Sequence, residues 1–320
     1  MSQQQNIYSL SICGRAILDM HSLNNEGGEG NQIATRMVNV VYRDRASGEY
    51  RLTTVNAISG DMFKHIQAEH LYLLAKGKLP LCKGCHKFSA SRILDDQDFM
   101  AKLPPQDSAV IDALLKHCAL DDLEGNLIAK GARSVPRKSV AEFGWVVGLP
   151  DYTTTESYFH VRYAAERGER AEEAQQQAIF HRPASSGVYA IVANFEMVRI
   201  GFNDISQQYP IADNERERRY LAFLESILYT FVEPNGAMRG TQSPHLVGFE
   251  GVVTVTNQVM PAPALSPLDE NYRQEVDKVA EALNDLKPGA VTVHRFDSMG
   301  DFAKVMKGLI KSTRPFKLAW

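Results

Sequence analysis

The chain has 320 residues, 44% of them hydrophobic, with four cysteines and a formal net charge of −3. That is enough apolar material for a sizeable core, in one domain with large insertions or in two, and it argues against wholesale disorder. No run of 18 apolar residues offers a membrane span, the polar start (MSQQQN) does not read as a signal peptide, and four cysteines at this length suit a reducing, cytoplasmic setting better than a disulfide scaffold. The mildly acidic balance places any nucleic-acid role on local basic patches rather than on bulk charge.

Taken in order, Ile7 to Leu18 alternates apolar and polar residues and predicts a first strand. Gly14 within it implies a bulge or a close backbone approach, and Arg15 beside it is either a plain surface cation or a phosphate contact on a sheet face. Asp19 to Gln32, rich in Gly and Asn, predicts a flexible polar loop suited to binding or to a plain linker. Arg36–Tyr42 and Tyr50–Ile58 predict a hairpin with its turn at 44–48. At Ser59-Gly60 the strand pattern gives way to a helical one, with Met62, Phe63, Ile66, Leu71 and Leu74 on or near one face. Ser59 can cap this helix. Its free N–H groups favour an anion, with Lys64 and His65 one turn in. No GxxxxGK[ST] is present, so this is not a P-loop, and a plain capped helix with a solvated Lys competes with the phosphate seat.

Lys76 to Asp151 reads as an insertion carrying Cys82-Lys83-Gly84-Cys85-His86 and Lys116-His117-Cys118. A CxxC turn presents two thiolates to one tetrahedral ion. Cys118 would be a third ligand and His86 or His117 a fourth, in a structural zinc site without catalysis; buried unmetallated thiols are the equal alternative. Cys13 reads as a small core residue. Lys130 to Ser139 packs four cations into nine residues, either a solvated loop or a phosphate contact through Arg137 and Lys138. Ala164 to Ala178 is polar and helix-prone without an apolar stripe, as an exposed finger would be. Ser186–Ala193 predicts a strand and Asp213–Phe231 an amphipathic helix. Next comes the loop Pro234–His245, in which Met238 stands as an exposed apolar residue beside Arg239, a pair able to wedge between neighbouring bases and hold phosphate. A strand over 246–259, a helix over 268–286, a strand over 290–296 and a closing helix over 302–309 complete the chain. The order approximates a βαβ-βαβ sheet with helices on one face, α+β and ferredoxin-like or RRM-like, whose open face commonly holds single-stranded RNA. The RNP aromatic motif is absent.

Several segments resemble, in order, the CRISPR-associated DevR-type (Cas-seven) family: Gly14-Arg15, Leu23-Asn24-Asn25-Glu26-Gly27 with Gly30-Asn31, and Ile58-Ser59-Gly60-Asp61-Met62-Phe63-Lys64-His65. Arg137 with Ser139, Ser186-Gly187-Val188-Tyr189, and Gly236-Ala237 with Arg239 and Ser243-Pro244-His245 extend the match over nearly the whole chain, closest to the I-A and I-B branches. The resemblance implies a non-enzymatic guide-RNA-binding backbone subunit of a type I Cascade surveillance complex. Copies would stack helically along one CRISPR RNA, beside other Cascade subunits, and the guide would pair with target DNA. It implies an RRM-like palm (1–75 and 183–320), an inserted finger domain (76–182) and a thumb loop (234–245). It carries RNA-backbone contacts onto Arg15, Asn25, Ser59, Lys64 and His65, with Arg137, Lys138, Met238 and Arg239 behind them. No cofactor is required, and the zinc set Cys82, Cys85, Cys118 and His86 stands apart from the motif. Two rivals remain. A metal-dependent ribonuclease of a type III-like effector would use a loop aspartate, but residues 24–31 offer only Glu26 and Glu29. A DNA-binding transcription regulator would want a helix-turn-helix, and none is visible.

Overall fold

The computed structural model describes residues 4–30, 32–44, 46–162 and 178–319. Strand β1 (Ser9–His21) is followed by the hairpin β2 (Met37–Arg43) and β3 (Tyr50–Ile58), then helix α1 (Gly60–Ala75). Helices α2 (Lys83–His86), α3 (Asp107–His117) and α4 (Ala119–Glu124) precede a small hairpin, β4 (Asn126–Lys130) with β5 (Arg133–Arg137). Two long strands, β6 (Val146–Arg162) and β7 (Ala178–Phe195), lead to α5 (Asp213–Val232), β8 (His245–Thr256), α6 (Tyr272–Leu286), β9 (Val291–Phe296) and α7 (Met299–Ser312).

One sheet runs β9-β8-β1-β7-β6-β3-β2, and every pairing along that path is antiparallel. A ferredoxin-like sheet is antiparallel too, because its βαβ units are split by an intervening strand, so this path does not contradict the order read from sequence. The period-two alternation of β1 explains how the sheet is covered. Leu10, Ile12, Ala16 and Leu18 face the main core with Phe63 of α1, Phe223 and Phe231 of α5, and Phe302 and Met306 of α7. Phe231 stacks on Phe249 of β8 at 5.0 Å between ring centroids. Residues of the other parity face the segment 260–276. Ser11 Oγ donates to Pro263 O at 2.6 Å, and Cys13 packs with Val252, Tyr272 and Val276. The 260–276 segment and α6 thus cover part of the second face, which corrects the one-sided arrangement read from element order, while Ile17 of β1 on that face stays 37% exposed.

Leu79, Leu81, Ile93, Leu114, Leu120, Leu123, Ile128 and Val135 belong to the same hydrophobic cluster as the sheet, so residues 76–140 pack continuously with it. Strand Ala141–Phe143 and the start of β6 pair with β7 and β3. What extends is the ribbon of β6 and β7, paired from Thr153–Gly187 out to Arg162–Ala178. Most of the polar finger read over 164–178 lies outside the described residues. The Gly/Asn loop is more ordered than its composition suggested, with Asn25–Glu29 pairing to Gln32–Thr35. Among the described residues no helix is long and apolar enough to cross a membrane.

Gly60, the first residue of α1, has no room for a side chain. A Cβ there would lie 2.3 Å from the carbonyl oxygen of Phe143. Alanine normally gains about 1 kcal/mol over glycine in a helix. Here Gly60→Ala is expected to lose about 1–3 kcal/mol through overpacking against fixed backbone. Thermal denaturation of the variant checks the sign, and a raised melting temperature would refute the close approach.

Candidate nucleic-acid interface

Ser59 caps α1 as its sequence suggests, its Oγ accepting from Met62 N at 3.1 Å. The cap is itself held from outside, because Ser59 N donates to Oδ1 of the buried Asn24 at 2.7 Å. Asn24 O also accepts from Arg36 N and Thr35 Oγ1, which fastens the base of the paired segment Asn25–Thr35. Asn25 lies next to it, half-buried, accepting from Ser22 Oγ at 2.7 Å. One residue earlier, Leu23 meets the loop after α5. Ala237 N donates to Leu23 O at 3.0 Å, and a Cβ on Gly236 would strike the Leu23 side chain at 2.7 Å. Leu23–Asn25 thus joins the start of α1 to the 234–244 loop. Sequence reading singled out Asn25; the buried neighbour Asn24 makes the junction, and only its place in the same motif hinted at it.

In that loop Met238 is half-buried with φ at 59°, so it is a turn residue and not the freely exposed wedge expected. Arg239 pairs with Glu233 and stays half-exposed. Gln242 Nε2 donates to Pro183 O at 2.8 Å and Arg182 Nη1 to Thr241 Oγ1 at 3.1 Å, which leans the loop on the root of the ribbon.

One turn into α1, Lys64 and His65 line a cavity of about 280 Å³ with Asp61, Ser89 and Arg92. His65 is exposed, its ring 5.5 Å from that of Phe88. Burial pulls the Lys64 amine below its ordinary value, opposed by the nearby Glu124 carboxylate. Glu124 is buried, and burial raises its own pKa, countered by Arg92 and Lys64. Neither Glu124 oxygen has a hydrogen-bond partner among the described residues. An anion entering this cavity would meet Lys64 and Arg92 in a partly desolvated setting, where charge pairing is stronger than in water. Arg92 had no sequence signal, since its chain neighbours are unremarkable and the fold alone brings it to α1.

Two predicted contacts lie elsewhere. Arg15 is on the other face of β1 from α1. Its Nε and Nη2 donate to Pro267 O at 2.9 and 2.7 Å, and its guanidinium sits 5.6 Å from the Tyr272 ring. It fastens the 260–276 segment, so it does not join Lys64 in one groove. Arg137 is 3% exposed and bonded to Asp122, Phe202 O and Arg199 O, each at 2.6 Å. Strand β5 places Arg137 on the side of the buried Val135, which takes its charge inward and away from any phosphate. Lys138, one residue on, is exposed and paired with Glu142 at 3.2 Å.

The cysteine set is brought together, with one exchange. Cys82, Cys85, Cys118 and Asp121 are buried, and their donor atoms all lie within 4.8 Å of one another. His86 is exposed and outside the set, and His117 pairs with Asp96 at 2.9 Å. Cys118 and Asp121 repeat the spacing of Cys82 and Cys85, a signal that a search for cysteine and histidine alone passes over.

The fold and these clusters define a mixed α/β protein built on one long antiparallel sheet, with a basic cavity and a capped helix start at one end of α1. Two chains from solved CRISPR RNA-guided surveillance complexes, one of them in a pre-nicking state, share the fold. Both have a TM-score of 0.52, at 13% and 12% identity, covering 94% and 95% of this chain and 99% and 98% of theirs. The family model described as CRISPR-associated negative auto-regulator DevR/Csa2 matches residues 12–277, and the chain belongs to that family. It is similar to the CRISPR-associated protein Cas7/Csa2 1 of Saccharolobus solfataricus, 22% identical over 302 residues, covering 90% of this chain and 93% of the relative. It is also similar to the CRISPR-associated protein Cas7/Cst2/DevR of Methanocaldococcus jannaschii, 26% identical over 277 residues, covering 79% and 82%.

Proposed function

We propose that this chain is a guide-RNA-binding backbone subunit of a Cascade-type CRISPR surveillance complex, a cytoplasmic, non-catalytic scaffold. The observation that carries this is family membership across residues 12–277, which includes every element of the α1 junction. We read the sheet and its backing helices as an RRM-like palm, antiparallel as such split-βαβ sheets are. The β6–β7 ribbon is the finger and the 234–244 loop the thumb. The guide backbone would run past the start of α1, meeting Asn25, Ser59, Lys64 and His65, with Lys138, Met238 and Arg239 beside it. Other Cascade subunits are partners of the assembly, and target DNA is recognised through the guide.

Self-assembly has its own support. Val41 and Leu52 are cross-strand partners on the β2–β3 hairpin and are 59% and 67% exposed, with Tyr50 at 79%. A projecting apolar patch of this kind suits contact with a different surface on the next copy. Such a head-to-tail contact builds a helix rather than a closed dimer.

Co-expression with a CRISPR array and native purification test the reading. The expected product is a helical particle retaining small RNAs with a repeat-derived end; an RNA-free monomer would sink it. Lys64→Glu is expected to weaken RNA retention without base preference. It should also flatten the dependence of log affinity on log salt by about 0.7 for each phosphate no longer neutralised. Arg15→Ala is expected to leave that slope unchanged and lower only the melting temperature. Magnesium-dependent cleavage of target RNA by the assembled complex would favour the ribonuclease reading instead.

A further inference from the structure

We propose that Cys82, Cys85, Cys118 and Asp121 hold one structural zinc ion that clamps α2 and α4 together behind the Lys64 cavity. The four groups come from two matched turns. Cys82 caps α2 and Cys118 caps α4, each sulfur accepting from the backbone N–H three residues on, at 3.3 Å from Cys85 and 3.5 Å from Asp121. Those third residues, Cys85 and Asp121, are the second ligand of each turn. Two such turns facing one another give four donors converging on a point, and the donor atoms already lie within 4.8 Å of each other. A tetrahedral ion with Zn–S bonds of about 2.3 Å wants donors about 3.8 Å apart, so a small contraction closes the site.

Asp121 is oriented as a ligand. Its Oδ1 accepts from Asn126 Nδ2 at 2.6 Å and Ile93 N at 3.4 Å. Its Oδ2 is left facing Cys82 Sγ at 3.3 Å and Cys85 Sγ at 3.4 Å. Outer-shell bonds of this kind fix a ligand's geometry at metal sites. A carboxylate with no exposure, set among three thiols, is costly in a core that holds no cation. A bound divalent ion removes that cost. The turn is also too tight for anything but glycine between the first two ligands, since a Cβ on Gly84 would fall 1.9 Å from Arg92 O. Three sulfurs and one oxygen favour zinc over calcium or magnesium, which take oxygen ligands. Four protein ligands leave no position for water, so the ion is structural. Cys85 and Leu120 of this unit line the cavity of Lys64 and His65, so the clamp sets one wall of it.

The test is metal analysis of the full untagged chain, purified without chelator or added metal. About one zinc per chain is expected, as for a closed site. A folded protein with negligible zinc overturns the proposal, and iron in its place overturns the choice of ion. Cys118→Ser is expected to abolish zinc, and His86→Ala to retain it fully. Loss in the histidine variant would overturn the assignment of Asp121. Should Cys118→Ser fail to fold, cobalt exchange into the wild-type chain decides the matter. Thiolate-to-cobalt charge-transfer bands of a tetrahedral site support the proposal, and their absence in folded, cobalt-loaded protein refutes it.

Discussion

Asp122→Ala is expected to cost about 3–5 kcal/mol, the range for removing one partner from a buried charge group. Asp122 has no exposure and faces two buried guanidiniums, with Oδ1 2.6 Å from Arg137 Nη2 and Oδ2 2.8 Å from Arg219 Nη1. Gly201 N donates to both oxygens, at 3.1 and 2.9 Å. Arginine does not shed its proton, so the variant cannot relieve the stranded charges by neutralising them. Arg137 would keep Phe202 O, Arg199 O and the half-exposed Asp204, and Arg219 would keep Leu115 O and Glu215. Those acceptors satisfy hydrogen bonds, but the carboxylate between the two cations is gone. A fall of this size is a large share of the 5–15 kcal/mol by which domains are usually stable. The urea midpoint should drop steeply with an unchanged slope. Asp204→Ala, which removes the outer partner of the same Arg137, should cost no more than about 1 kcal/mol, since that pair reaches solvent. Equal losses in the two variants would refute the central role of Asp122.

The same cluster shows where sequence reading stops. Gly131 and Pro136 made Lys130–Ser139 look like an open basic loop, because loop signals and cations occur together there. Pairing of 126–130 with 133–137 imposed alternation instead, and alternation sent Arg137 inward with Val135. The partner that draws it in, Asp122, is 15 residues away, and Arg219 is 97 residues from Asp122. No local pattern encodes that meeting. Arg15 failed for a related reason. Its position on a sheet face was legible, but which face α1 would cover was not, and the chain after Pro261 closes over the other. What could be read was local: the Ser59 cap, the β2–β3 hairpin, the long helix over 213–232, and the close approach implied by Gly14, where a Cβ would lie 2.7 Å from Glu250 O. The family motifs were legible too. They mark Leu23-Asn24-Asn25 and Gly236-Ala237, the residues that meet at the junction, without revealing that they meet.

That junction should be sensitive to acid through His21. His21 ends β1, is 1% exposed, and accepts from Leu23 N through Nδ1 at 3.4 Å. Its ring stands edge-on to Tyr189, 5.0 Å between centroids. With Nδ1 accepting, the neutral ring carries its proton on Nε2, which has no hydrogen-bond partner among the described residues. Burial lowers its pKa from 6.5 to about 4. Between those values the unfolded chain binds a proton that the folded chain refuses, so stability rises with pH across that window. The contribution is whole above about pH 6.5 and drains away as the pH falls toward 4. At about 1.36 kcal/mol per unit, a depression of that size is worth about 3 kcal/mol at the acid end. Carboxylates titrate over some of the same range, so the measurement is a difference. His21→Phe has no proton to gain. Its melting temperature relative to wild type should climb steadily from pH 7 to pH 4, and a flat difference would refute the assignment. Protonation would place a charge beside Leu23, where Gly236 and Ala237 dock. Mild acid should therefore raise proteolysis within 234–244 before the sheet melts, in the wild type and not in His21→Phe.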